Sequence, residues 1–215
     1  MTRIALIHAL AHSVAPINEA LARSWPECVR MNLMDDSLSA DLARSGTGLD
    51  GAMHRRFEDL AAYAVATGAQ GILYTCSAFG PCIEAVAAKR PHMPVLKPNE
   101  AMIAQAIEAG SHIGLIASFA PTLQSMPAEF PAGVRLTTRL VERAMIALNH
   151  GNGEEHDALV VAAAQELAAQ GCEVIALAQF SMARAQDAVH AATGLRVLTT
   201  PASAVEVLRQ RLAAD

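Results

Sequence analysis

This chain predicts an α/β fold of two similar halves, each a four-stranded, mainly parallel sheet, related as a pseudo-twofold duplication, with the active site in the cleft between them. Three observations carry that expectation. Short apolar runs alternate with helical patterns almost throughout, as in parallel sheets covered on both faces. Helical stretches such as "GAMHRRFEDLAAYAVATG" and "EEHDALVVAAAQELAAQG" end on the glycine expected past a helix C-terminus. The chain also repeats itself.

A shift of 103 residues lays "GAQGILYTCSAF…PVLKPNEA" over "GCEVIALAQFSM…RVLTTPASA", with Gly68 on Gly171, Ile72 on Ile175, Val86 on Val189, Pro98 on Pro201 and Ala101 on Ala204. A shift of 109 lays "RIALIHALAHS" over "HIGLIASFAPT", with Ile4 on Ile113, Leu6 on Leu115 and Ser13 on Thr122. Any two α/β units share strand-turn-helix periodicity, so the shared order and the nearly constant offset are what indicate duplication. The halves then comprise 1–97 with 200–215, and 98–199. A ligand is expected between them, at the carboxyl ends of the strands.

In chain order, "RIALIH" (Arg3–His8) opens as a strand. Its single arginine, short apolar run and lack of a small-residue cleavage site distinguish it from a secretory leader, and a cytoplasmic protein is expected. Strands follow at Cys28–Met34, Gly71–Thr75 and Met93–Leu96 in the first half. The second half supplies His112–Ser118, Val134–Leu140, Glu173–Ala178 and Arg196–Thr199. "GTGLDG" is only weakly a glycine-rich phosphate loop, since no strong strand leads into it and no Lys-Ser/Thr follows. "HGNGEEH" brings His150 and His156 near two glutamates, but a loop and an acidic helix start account for it.

Composition narrows the partners. Aromatic residues are 4% of the chain, too few for base-stacking or sugar-binding platforms, and the net charge of -5 comes without an acidic or basic block. Nucleic acid and membrane are therefore not expected. No apolar run reaches the roughly 20 residues that span a bilayer. A small metabolite is the expected partner. An Ala-rich chain of modest surface charge also suits a homodimer. Cys28, Cys76, Cys82 and Cys172 fit neither a disulfide framework nor a zinc site, so reduced thiols are expected.

The chemistry gathers at strand ends. Cys76 ends an apolar strand and precedes a helix, where oriented N–H groups favour thiolate; the same position also suits an inert buried thiol. Cys28, Cys82 and Cys172 read as structural. The candidate substrate contacts are His8, Ser13, Ser77, Ala78, Ser118, Thr122, Gln179 and Ser181. This is a polar, nearly uncharged set, in which each Ser or Thr also suits a helix N-cap and His8 also suits a hydrogen-bonded core histidine. His12 reads equally well as surface loop. Lys97 is the one cation near the set, and His8 and Phe79 could face a ring substituent. No Gly-x-Ser-x-Gly elbow is present for a Ser-His-Asp hydrolase.

With "LYTCSAFG" and its half-repeat "ALAQFSMA", together with "IALIHAL", "PVLKP" and "IGLIAS", the chain resembles the aspartate/glutamate/hydantoin racemase superfamily over essentially its whole length. That superfamily includes maleate isomerase and arylmalonate decarboxylase. The resemblance implies cofactor-independent racemase or isomerase chemistry at the carbon α to a carboxylate, one cysteine per half serving opposite faces of that carbon. Cys76 matches the first cysteine. Gln179 stands at the second and cannot exchange protons, so ordinary two-base racemisation is in doubt. A single-cysteine decarboxylase or lyase of arylmalonate type is the alternative; there the cysteine belongs to the second half, here to the first. A non-catalytic ligand-binding module is a further alternative.

Overall fold

The computed structural model describes residues 1–213; the last two positions of the expected first half, 214 and 215, lie outside the described residues. The chain divides into two compact units. One is Met1–Pro98 together with the chain from Ala204 onward, and the other is Asn99–Ser203.

In unit 1 the elements run β1 (Arg3–His8), α1 (Val14–Ser24), β2 (Val29–Met34), α2 (Ser37–Ser45), α3 (Gly51–Ala66), β3 (Gly71–Tyr74), α4 (Gly80–Ala88) and β4 (Val95–Leu96). The four strands form one parallel sheet in the order β2-β1-β3-β4. β1 and β3 occupy its centre, and their residues Ile4 to His8 and Gly71 to Tyr74 are buried, as strands covered on both faces must be. The edge strand β2 is only half-buried, which explains its polar alternation. β4 is reduced to two pairs, Ile72 with Val95 and Leu73 with Leu96, because Pro94 lacks an N–H to donate.

Unit 2 repeats this plan with α5 (Glu100–Ala109), β5 (His112–Ala117), α6 (Ala120–Ser125), β6 (Arg135–Leu140), α7 (Glu142–Asn149), α8 (Gly153–Ala169), β7 (Val174–Leu177), α9 (Gln186–Thr193) and β8 (Arg196–Thr199). Its sheet is again parallel and four-stranded, in the order β6-β5-β7-β8. Two cores sandwich the sheet. On one face Met102, Ile103 and Ala106 of α5 pack with Leu115, Ala178 and Leu198. On the other, Val160, Ala164 and Leu167 of α8 pack with Ile116, Ile175 and Val189.

A last helix, α10 (Thr200–Ala213), begins in the final residues of unit 2 and runs on in unit 1. There Leu208 reaches Gly71 so closely that a Cβ at Gly71 would lie 3.2 Å from its Cδ1. Arg209 donates to the Ser24 carbonyl at 3.0 Å.

"GTGLDG" is a loop between α2 and α3, turned by Gly46 and Gly48 at positive φ, and Asp50 caps α3 by accepting from Met53 N at 2.9 Å. "HGNGEEH" is a turn into α8, capped by Asn152, which accepts from Glu155 N at 3.1 Å. No helix among the described residues is long and apolar enough to cross a membrane.

Candidate functional site

In unit 1 the end of β3 is held by an aromatic cluster. Phe57 of α3 stacks on Tyr74 with ring centroids 5.0 Å apart and meets Phe79 at 4.9 Å, and the Tyr74 hydroxyl donates to the Phe57 carbonyl at 2.8 Å. Phe79 is fully buried in this cluster, which takes it out of the role of facing a ring substituent. Thr75 continues the ladder by donating its N–H to Ile7 O at 3.0 Å. Cys76 then stands in extended conformation, φ -123° and ψ 120°, at the head of a short 3-10 helix, Ser77–Phe79.

The Cys76 thiol is half-buried in a narrow crevice with Ile7, His8, Ala9, Leu38, Phe57 and Tyr74. Burial pushes its pKa up, against the Ala78 N–H and the Ser39 hydroxyl, which both hydrogen-bond to the sulfur and favour thiolate. The backbone donor expected from the strand-to-helix geometry is present. The expected lowering of the pKa is not, because desolvation outweighs the two hydrogen bonds. Cys76 is therefore a protonated thiol at neutral pH.

His8 is fully buried and both ring nitrogens are engaged within the unit. Nε2 lies 2.9 Å from Asn32 Oδ1, while Nδ1 lies 2.9 Å from Thr75 Oγ1 and 3.1 Å from Ser13 Oγ. Asn32 Oδ1 also accepts from Asn18 Nδ2 at 2.8 Å, so it acts as an acceptor toward His8 and the imidazole carries its proton on Nε2. Burial lowers the His8 pKa, against the Asn32 hydrogen bond, and keeps the ring neutral. Ser13 closes the network, 2.8 Å from Thr75 Oγ1 and donating to Leu10 O at 2.7 Å. The network ties together the carboxyl ends of β1, β2 and β3.

Ser77 and Ala78 are buried in the 3-10 turn. Lys97 pairs with Glu84 at 2.6 Å, so this cation already has a carboxylate. Cys28, Cys82 and Cys172 are all buried, and burial raises the pKa of each. Among the described residues, no three His, Cys, Asp or Glu side chains are grouped to hold a metal ion.

In unit 2, Gln179 occupies after β7 the place Cys76 occupies after β3. It too is extended, φ -134° and ψ 145°, and it too heads a 3-10 helix, Phe180–Ala185. Its Oε1 accepts from both the N–H and the hydroxyl of Ser118, which follows β5. The amide is thereby oriented with Nε2 as its remaining donor. Thr122 of α6 is fully buried, and Ser181 is 3% exposed with no hydrogen-bond partner for its Oγ among the described residues.

Sequence reasoning missed two residues. Ser39 lies on the amphipathic helix α2 with no motif to mark it. Asn99 precedes α5 where an N-cap belongs, yet its side chain makes no cap.

The Asp/Glu/Hydantoin racemase family model matches residues 10–208. The chain belongs to that family. Among solved structures it is similar to glutamate racemase from Thermus thermophilus in complex with beta-chloro-D-alanine, at 22% identity and a TM-score of 0.76, covering 99% of this chain and 81% of that one. Allantoin racemase from Klebsiella pneumoniae gives 14% identity and a TM-score of 0.72, covering 100% and 89%. A mutant of arylmalonate decarboxylase gives 18% identity and a TM-score of 0.66, covering 99% and 94%. At these identities the likeness establishes the fold. Among curated protein sequences, none matches this chain.

Proposed function

We propose that the protein is a cofactor-independent enzyme acting at the carbon α to a carboxylate of a small metabolite, with Cys76 as its proton-transfer group. The observation that carries the reading is the setting of Cys76, a protonated thiol at a strand end with the Ala78 N–H and the Ser39 hydroxyl on its sulfur. In the racemase form the minor thiolate fraction of Cys76 takes the α-proton, water protonates the opposite face, and the hydroxide left recovers the proton from the thiol. In the decarboxylase form the bond to carbon dioxide breaks, leaving its electron pair on the α-carbon, and the thiol delivers its proton there and becomes a thiolate held by the same two donors. Water then returns the proton. Ser77, Thr122, Gln179 and Ser181 supply neutral donors to the substrate's oxygens in this reading, while the Ala78 N–H stays on the sulfur and Ser118 orients the Gln179 amide. His8 and Ser13 serve it by fixing Thr75, the residue before the thiol, rather than by touching substrate.

Racemase or isomerase chemistry is the first form of the proposal, as family membership favours. One observation favours a second form. Gln179 holds the equivalent place in unit 2 and has no exchangeable acid–base function, which suits a decarboxylase or lyase that protonates one face only.

The test is deuterium incorporation in heavy water, run with D-glutamate, allantoin and phenylmalonate and read by NMR together with carbon dioxide release. Native protein should label or decarboxylate one of them, and Cys76→Ser should lose at least about a hundredfold in that rate. A Cys76→Ser variant of undiminished activity sinks the proposal. Tight binding of a substrate without either reaction supports a binding module instead.

A further inference from the structure

Asn99 and Ser181 of unit 2 are buried with polar atoms that meet no partner among the described residues. Asn99 is 1% exposed, and neither its Nδ2 nor its Oδ1 makes a hydrogen bond. Ser181 is 3% exposed, and its Oγ is likewise unmet. Buried polar groups are ordinarily satisfied, and leaving them unmet is costly. Asn99 does not use the outlet its position offers, since it stands where an N-cap would be and makes no capping bond.

Both residues lie on the same edge of the unit 2 sheet. α5 ends at Ala109 and β5 begins at His112, so the start of α5 lies toward the carboxyl ends of the strands. Met102 and Ile103, one turn into α5, share a core with Ala178, the residue before Gln179. Asn99 therefore sits at the edge from which Gln179 and Ser181 leave β7. Because Ser118 occupies the Oε1 of Gln179 twice, that amide presents its Nε2 hydrogens.

The resulting set has three donors, Gln179 Nε2, Asn99 Nδ2 and the Ser181 hydroxyl, and one acceptor that demands a donor, Asn99 Oδ1. A carboxylate only accepts and would leave Asn99 Oδ1 unmet. A planar group with N–H beside C=O satisfies both ends of Asn99. We infer that Asn99, with Gln179 and Ser181, reads a carboxamide-type group on the ligand and is a specificity-determining contact. The inference rests on the proposed reaction at Cys76 only for what happens after binding.

The experiment compares malonamate with malonate, two probes that differ by one carboxamide in place of one carboxylate, by titration calorimetry on the full chain. Malonamate should bind at least about tenfold more tightly, and Asn99→Ala should bind the two alike. Without ligand, the thermal midpoint of Asn99→Leu should equal or exceed that of the native protein, because two unmet buried polar atoms are gone. Equal or absent binding of the probes by native protein overturns the inference. So does a preference that survives Asn99→Ala, or a lower midpoint for Asn99→Leu. The Cys76→Ser variant separates the two readings. It should keep the malonamate preference while losing turnover, so loss of preference in native protein sinks the Asn99 contact alone, and turnover independent of Cys76 sinks the reaction alone.

Discussion

Ser39→Ala tests how the Cys76 thiol is tuned. The Ser39 hydroxyl hydrogen-bonds to the sulfur and favours its charged form. A hydrogen bond to a charged group contributes about 1.5–3 kcal/mol, and the lower end applies because both residues are only half-buried. About 1.5 kcal/mol corresponds to roughly a tenfold smaller thiolate fraction wherever the thiol is mostly protonated. The assay is alkylation by iodoacetamide near neutral pH, with the Cys76 peptide followed by mass spectrometry and the buried Cys82 peptide as internal reference. The variant should react about tenfold more slowly at Cys76 and unchanged at Cys82, and the two proteins should converge at alkaline pH once both thiols are ionised. Equal rates near neutral pH would refute the reasoning. A deficit that persists at high pH would do so as well, since it would mean that Ser39 controls access rather than charge.

Two further outcomes test the framework around the site. Burial raises the Cys82 pKa from 9.0 to about 11, with the Asp50 charge adding to the rise. A raised folded-state pKa contributes stability that is present below pH 9 and lost as pH climbs through 11, on the order of 3 kcal/mol in full. Urea unfolding of Cys82→Ala, compared between neutral pH and about pH 11, should therefore show a smaller alkaline loss than native protein; an identical loss would contradict the linkage. In β5, a Cβ on Gly114 would lie 2.9 Å from Ile175 Cδ1 and 3.1 Å from Leu167 Cδ1. Gly114→Val should destabilise by about 2–3 kcal/mol in the same assay despite the preference of strands for valine, and an unchanged midpoint would show that the core yields.

Burial periodicity explains why the sheets were readable from residue patterns and parts of the site were not. Arg3–His8 and Arg196–Thr199 are strands over the very residues expected, and the other six differ from expectation only at their ends. Central parallel strands are apolar on both faces, so they stand out whatever surrounds them. Met93 falls outside β4 because Pro94 interrupts the ladder and pairing starts only at Val95, a signal that a search for apolar runs passes over. The equivalence of Cys76 and Gln179 was visible in the repeat, and their shared backbone geometry follows it. What escaped depends on the balance of forces at single atoms. "IHALAHS" does not reveal that His8 spends both nitrogens on Asn32, Thr75 and Ser13, nor "YTCSAFG" that desolvation outweighs two hydrogen bonds on a thiol. Asn99 looks like any residue that starts a helix until its amide is found unmet.

The way the chain is threaded has a consequence for biogenesis. Unit 2 is one uninterrupted stretch, Asn99–Ser203, whereas unit 1 is split around it and takes its closing helix from beyond Ser203. Leu208 and Arg209 of that helix cover β3 and tether α1. During synthesis the uninterrupted unit has all its parts as soon as Ser203 has emerged, while the unit bearing Cys76 waits for the segment that follows. A chain ending before α10 would thus have every strand of its second sheet, while in the first β3 would lack the helix that covers it.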